Sequence, residues 1–216
     1  MIIYKNKILP HIFKCAGTSV AEACRKDIKN VQYFSYHEPI HILQNKEFSY
    51  AADYEKLTLV RNPYSFYRSW YNFNNKLSYY TRDPLTKLLL FSDKKIIPFD
   101  KYLNNILNPR DVLKNKLIAL KEETMIRPFW FRSFHSNLDE NPFYEGESFY
   151  QWCIRKLIDF NTKTFRLEDE LNDFLKAASI NSLPQLNISR NIFDFNETQK
   201  EKIFEKDEVL FERFGY

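Results

Sequence analysis

Ile8-Leu9-Pro10-His11-Ile12-Phe13-Lys14-Cys15-Ala16-Gly17-Thr18-Ser19 is the stretch on which the reading of this chain turns. Residues 8–13 are mostly apolar and read as a buried strand, with Pro10 early in it or at a bulge. Gly17 to Lys29 reads as a helix whose Val20, Ala21, Ala23, Cys24 and Ile28 lie toward one side. The chain has three glycines in all, and one stands here beside a lysine and two hydroxyls. A strand feeding a tight turn and then a helix aims several backbone N–H groups, and the positive end of the helix dipole, at one spot. Lys14 adds a mobile point charge, Thr18 and Ser19 add hydroxyl donors, and Gly17 is expected to let the backbone close around an anion. The competing reading is a helix N-terminus capped by Ser or Thr with a lysine nearby by chance.

Residue order narrows the choice of anion. The nucleoside-triphosphate loop has the form G-x-x-x-x-G-K-[ST], with the lysine after its last glycine. Here Lys14 precedes Gly17 and no first glycine exists, so the ATPase reading fails and no magnesium is implied.

Outward from this loop, Val31 to Ser35 and Leu57 to Val60 read as further strands. Asn62-Pro63 starts a helix running from Tyr64 to about Lys76, with Asn62 as N-cap and Pro63 in its first turn. Strand, helix, strand, strand, helix in this order suggests an α/β domain with a largely parallel sheet. The middle, from about Tyr79 to Phe160, reads as mostly helical, with loops around Pro84, Pro98, Pro109, Pro128 and Pro142. Thr162 to Leu167 reads as a late strand and Glu168 to Ala178 as a helix. Glu197 to Phe214 is an amphipathic helix with Ile203, Phe204, Leu210, Phe211 and Phe214 as expected core contacts. No repeat or linker interrupts the pattern, so residues 1–216 read as one domain.

The totals exclude several function classes. A net charge of +4 suits a small polyanionic ligand or an acidic glycan and falls short of a nucleic-acid-binding footprint. Cys15, Cys24 and Cys153 lack metal-binding spacing and cannot all pair, so they read as reduced thiols of a cytoplasmic protein. No apolar run approaches a membrane span, and the anion loop begins too early to leave room for a signal peptide. Aromatic residues make up 17% of the chain, which is explained most simply by an aromatic core.

The second signal is Leu59-Val60-Arg61-Asn62-Pro63-Tyr64, with Ser69 eight residues beyond Arg61. An arginine at a strand end, before a capped helix, stands where α/β sheets meet ligands, and with a serine hydroxyl it can grip a terminal phosphate. The two segments together resemble the signatures of the sulfotransferases that use 3′-phosphoadenosine 5′-phosphosulfate (PAPS). The family's 5′-phosphosulfate loop has the form P-K-[TSC]-[GA]-[GST]-[TS]-[ST], and its 3′-phosphate element has R-[ND]-P with a serine eight residues after the arginine. This chain supplies Lys14, Gly17, Thr18 and Ser19 for the first and Arg61, Asn62, Pro63 and Ser69 for the second. It departs at Phe13, where proline is usual, and more mildly at Ala16. Phe165-Arg166-Leu167-Glu168-Asp169 resembles the family's late strand with its acidic pair. Leu186-Asn187-Ile188-Ser189-Arg190 resembles its N-x-S segment, and Lys206-Asp207 to Tyr216 its closing helix.

The resemblance is nearest to the carbohydrate-modifying branch, in a bacterial member. It implies a P-loop-like three-layer α/β sandwich with a mostly parallel central sheet flanked by helices. It also implies sulfuryl transfer from PAPS, with no metal, to a hydroxyl (less readily an amine) of a carbohydrate or glycolipid. Lys14 would meet the leaving phosphate oxygen. Lys14, Cys15, Ala16, Gly17, Thr18 and Ser19 would form the 5′-phosphate loop, Arg61 and Ser69 would hold the 3′-phosphate, and Arg190 would add a further positive contact. Cys15 is treated as inert.

A sugar hydroxyl needs a general base, and histidine titrates in the right range. Of His11, His37, His41 and His135, His37 precedes Arg61 by about the interval that separates base and arginine in the resembled family. His11 reads as structural, His41 is the backup, and Glu38 is an alternative base. Pro128-Phe129-Trp130-Phe131-Arg132 reads as core before it reads as an acceptor-stacking surface. Two rival functions stand beside sulfuryl transfer: a P-loop-fold nucleotide or small-molecule kinase, and a catalytically inactive glycan-binding relative. Magnesium-dependent ATP binding would favour the first, and absence of turnover with labelled PAPS the second.

Overall fold

A two-residue turn begins the architecture. Lys5 and Asn6 both take positive φ, 47° and 59°, the geometry that joins two antiparallel strands without splaying them. The strands are β1 (Ile2–Tyr4) and β2 (Lys7–Leu9), registered Ile2 to Leu9 and Ile3 to Ile8. The strand expected over residues 8–13 therefore spans Lys7–Leu9 and stops at Pro10, which has no N–H to give a ladder. The Pro10 carbonyl instead accepts the buried Thr58 hydroxyl at 3.0 Å.

The protein, seen in a computed structural model, is described over residues 1–35, 37–75, 84–114, 142–184 and 194–216. It divides into two compact units, one of Met1–Asn62, Cys153–Ile188 and Glu212–Tyr216, the other of Pro63–Trp152 and Ser189–Phe211.

The first unit adds β3 (Val31–Phe34), β4 (Glu55–Val60) and β7 (Lys163–Arg166) to the hairpin. The five strands form one sheet in the order β3-β1-β2-β4-β7. β2, β4 and β7 pair in parallel, while β1 is antiparallel to both of its neighbours. The sheet is thus mixed, and the expectation of a largely parallel sheet is corrected. Its cause is β1, a strand the sequence reading did not contain, inserted between β2 and β3. Because β1 is reversed against both neighbours, β2, β3, β4 and β7 still point the same way.

Alternation along the hairpin assigns the two faces. Met1, Ile3 and Ile8 pack with Phe48 and Ala51 of a short 3-10 helix, Lys46–Ala51, which follows another at Ile40–Gln44. Ile2, Leu9 and Leu59 turn the other way, toward Val20 of α1 (Gly17–Arg25) and a phenylalanine, Phe174, of a helix at Leu171–Ala177. α1 ends at Arg25, short of the expected Lys29, and Ile28, expected on its apolar side, is 66% exposed.

In the second unit α2 (Pro63–Asn75) begins at the proline expected to start it. α3 (Pro84–Leu90) leads into a small hairpin of β5 (Phe91–Ser92) and β6 (Lys95–Ile96), followed by α4 (Phe99–Leu107) and α5 (Pro109–Leu113). Among the described residues the later helices are α6 (Phe149–Leu157), α7 (the Leu171–Ala177 helix of the first unit) and α8 (Glu197–Phe214). The core of this unit is aromatic: Phe66 stacks on Tyr150 at 3.9 Å and Trp70 lies against Phe149 at 4.9 Å. Each such side chain contributes about 1.5–3 kcal/mol on burial.

Asp207 is fully buried within this unit and breaks the helical path of α8, with φ −112° and ψ 18°. It accepts hydrogen bonds from the Tyr67 hydroxyl, from Ser148 Oγ at 2.6 Å and from Gln151 Nε2 at 3.0 Å. Ile203, Leu210, Phe211 and Phe214 are buried as expected, but Phe204 is 45% exposed. No described helix is long and apolar enough to cross a membrane.

Candidate functional site

Four strand ends deliver the candidate residues to one edge of the sheet. β2, β3, β4 and β7 run in the same direction, so the segments that leave their C-terminal ends emerge together. After β2 comes the Lys14 loop, after β3 His37, after β4 Arg61, and after β7 Glu168. That edge is where ligands of α/β sheets gather.

The loop itself is conformationally constrained. Lys14 and Ala16 have φ of 58° and 59°, a region costly for residues with a Cβ. Ala16 occupies the N-cap position of α1 with no side-chain hydrogen bond to the helix, so the Ser/Thr-cap reading does not hold. A helix N-terminus without a side-chain cap is one that an anion can complete. Lys14 is half-buried, Thr18 is exposed, and Ser19 and Cys15 are buried. Cys15, Cys24 and Cys153 all carry free thiols.

Gly17 has a different reason from the one expected. Its φ lies outside the left-handed region, but a Cβ there would stand 1.7 Å from His11 Cδ2 and 2.1 Å from His11 Nε2. The residue is glycine because the imidazole of His11 lies on its α-carbon. His11 is buried, and burial, with His37 and Lys14 nearby, holds its pKa well below the usual histidine value.

Arg61 and Lys14, 47 residues apart in sequence, meet directly: Arg61 Nη1 donates to the Lys14 carbonyl at 3.1 Å. Arg61 Nε lies 3.9 Å from Glu168 Oε1. Glu168 in turn accepts the Asn62 backbone N–H at 3.2 Å and the Tyr216 hydroxyl at 2.8 Å. Burial and the adjacent Glu168 push the Tyr216 hydroxyl far above its usual range. The sequence had flagged Glu168 as one of an acidic pair, but nothing local connects it to Arg61. That link appears only once β4 and β7 are paired.

His37 stands beside the loop. Its ring stacks on Phe13 at 3.8 Å with an 8° tilt and lies 4.1 Å from the His11 ring. Its Nδ1 is 3.0 Å from the His11 carbonyl, so Nδ1 carries the proton and Nε2 the lone pair. The residue as a whole is only half-buried, but the ring is wedged between two others, and that desolvation pulls its pKa down to about 3. The expectation of a histidine titrating near neutrality is thereby corrected: His37 is a neutral imidazole of defined tautomer. Phe13, where the resembled loop has proline, is the platform on which that ring rests.

The alternative bases are placed differently. Glu38 is buried and accepts the Tyr33 hydroxyl. His41 is exposed on the Ile40–Gln44 turn. Ser69 is buried on α2, within the second unit. Arg190 with the rest of the Leu186–Arg190 segment, His135 and the Pro128–Arg132 run lie outside the described residues. None of the protein-family models, curated proteins or solved structures compared with this chain matches it.

Proposed function

We propose that this chain is a PAPS-dependent sulfotransferase acting on a hydroxyl of a carbohydrate or glycolipid. One observation carries the reading: a helix N-terminus without a side-chain cap, a lysine and an arginine converge at a single sheet edge, with Arg61 bonded to the Lys14 carbonyl at 3.1 Å. The donor set fits a nucleotide bearing two phosphate groups, one for the loop and one for the arginine fork. Ser69 enters the proposal on its spacing from Arg61 and Arg190 on its sequence segment alone.

In this reading PAPS supplies an activated sulfuryl group on its 5′-phosphate. The N–H groups that begin α1 and the Thr18 hydroxyl hold that phosphate. The phosphosulfate anion bound beside the ring raises the basicity of His37 from the low value that burial imposes, and its neutral Nε2 takes the proton of the acceptor hydroxyl, whose oxygen forms the new S–O bond. The S–O bond to the phosphate breaks, and the electron pair goes to the phosphate oxygen, where the Lys14 ammonium meets the developing charge. Positioning and electrostatics supply most of the rate, as in phosphoryl transfer.

The test uses the bisphosphate product, 3′-phosphoadenosine 5′-phosphate. At about 100 times its Kd it should stabilise the protein by about 2.7 kcal/mol, a shift of several degrees in Tm. Labelled PAPS offered with a panel of glycans should give labelled product. No thermal shift with the bisphosphate, or a larger one with magnesium and ATP, overturns the reading.

A further inference from the structure

The sulfuryl-transfer reading makes no use of Glu168, yet this carboxylate meets Arg61, Asn62 and Tyr216 at the sheet edge. The β4–β7 ladder ends with the Leu167 N–H donating to the Val60 carbonyl at 2.9 Å. The next donor along β4 is the Asn62 N–H, and Glu168 Oε1 takes it at 3.2 Å. A side chain thus continues the ladder by one step, and the backbone of Arg61 is clamped on both sides. The Tyr216 hydroxyl holds the other carboxylate oxygen at 2.8 Å. Arg61 Nε lies 3.9 Å from Oε1, while its Nη1 reaches the Lys14 carbonyl at 3.1 Å.

We propose that Glu168 is a positioning residue for Arg61, and that through it the site distinguishes a nucleotide carrying both 3′- and 5′-phosphates from one carrying the 5′-phosphate alone. The inference rests on the nucleotide reading given above. A carboxylate beside an arginine could instead compete with a phosphate for it. The distances speak against that. Charge-assisted N–H···O bonds run near 2.7–2.9 Å, and at 3.9 Å Glu168 attracts the guanidinium without hydrogen-bonding it. Its own hydrogen bonds go to Asn62 and Tyr216. An arginine fork binds phosphate with directional bonds, so its aim matters as much as its charge.

The experiment measures calorimetric affinities for 3′-phosphoadenosine 5′-phosphate and adenosine 5′-phosphate in the wild type, Glu168→Ala, Glu168→Gln, Arg61→Ala and the double variant Arg61→Ala/Glu168→Ala. Glu168→Ala should cut the preference for the bisphosphate about tenfold and leave the 5′-phosphate affinity within about twofold, a size usual for coupled neighbours. The double variant should lose no more than Arg61→Ala alone. Glu168→Gln keeps an oxygen for the Asn62 N–H and should restore part of the preference. An unchanged preference in Glu168→Ala, tighter binding of both nucleotides, or additive losses in the double variant would overturn the proposal.

Should the wild type bind neither nucleotide, the functional reading fails, and Arg61 still reports on Glu168. Its Nε–Hε signal in 15N NMR should shift or broaden in Glu168→Ala. A signal identical to that of the wild type would overturn the positioning role by itself.

Discussion

Replacing Gly17 with alanine separates two explanations for the one glycine in the loop. The new Cβ would lie 1.7, 2.1 and 2.6 Å from Cδ2, Nε2 and Cγ of His11. The ring cannot swing aside freely: His11 is 4% exposed, its ring lies 4.1 Å from that of His37, and its carbonyl holds His37 Nδ1. Forcing a methyl into such a site costs about 1–3 kcal/mol, and contacts this short belong at the upper end. Alanine returns about 1 kcal/mol at most through helix propensity. The net loss should be about 2 kcal/mol, which for a chain of this size lowers Tm by about 4–8 °C. Thermal and urea melts of Gly17→Ala measure it, and the same change in a His11→Ala background provides the control. With the ring gone the methyl has room, so there the substitution should be neutral or stabilising. A Gly17→Ala protein as stable as wild type, or an equal cost in both backgrounds, refutes the steric account. If the glycine served phosphate approach instead, the His11→Ala/Gly17→Ala protein would be stable and would still have lost nucleotide affinity.

Three further outcomes follow from the geometry. Lys14→Met keeps the loop and loses the charge, so turnover should fall at least about 100-fold while stability stays within about 0.5 kcal/mol; a variant that still turns over at a tenth of the wild-type rate, or that unfolds, contradicts the assignment. His37 has a folded pKa near 3 against 6.5 for the free side chain, and that of His11 is lowered too, both chiefly by burial. The unfolded chain therefore binds more protons between these values: the stabilisation is complete above about pH 6.5 and is lost as pH falls toward 3. Tm followed from pH 7.5 to 4 should fall, and His37→Asn, which tolerates a φ of 50°, should flatten the curve; parallel curves would count against a desolvated His37. For Asp207 the sign is opposite. Burial raises its pKa to about 6 despite three donors, so its contribution is full below pH 4 and is lost as pH rises through 6. Tyr67→Phe removes one donor and should cost about 1.5–3 kcal/mol, more at pH 7.5 than at pH 5 by urea midpoint. An equal loss at both pH values would mean that the hydroxyl does not stabilise the carboxylate.

What was legible in the sequence was local. The apolar run into the Lys14 turn, the start of α2 at Pro63 and the strand over Lys163–Arg166 are all written in consecutive residues. β1 was not legible, because a three-residue strand offers no periodicity and Lys5-Asn6 is a weaker turn signal than Asn-Gly. Its absence from the reading turned a mixed sheet into a parallel one. Gly17 was visible as a glycine, but its cause lies six residues away in the His11 ring. The exposure of Ile28 followed from an early helix end, which an uninterrupted helical period cannot show, whereas Phe204 lies a quarter-turn from the stripe of Ile203, Leu210 and Phe214 and is half-exposed at its margin. The contact of Glu168 with Asn62 depends on strand pairing across 106 residues and has no sequence signal at all.

The loop conformation ties these points together. Of the residues that form it, Lys14 and Ala16 are the ones with positive φ, while Gly17, which could adopt it at no cost, does not. Each left-handed non-glycine residue costs about 1–2 kcal/mol, so the backbone must be held from outside. Arg61 supplies one hold, through Nη1 on the Lys14 carbonyl, and α1 supplies another, through the Val20 N–H on the Ala16 carbonyl at 3.0 Å. Glycine at position 14 would relieve the strain and lose the ammonium. A lysine kept in a costly conformation, braced by an arginine from another strand, is therefore poorly explained by packing alone. It makes sense where the charge must stand at the start of a helix with no side-chain cap. On this argument Arg61 is both the brace of the loop and part of the charge it presents. A substitution at Arg61 should therefore disturb the position of Lys14 as well as the affinity for a second phosphate, whereas Lys14→Met should leave the Arg61 grip intact.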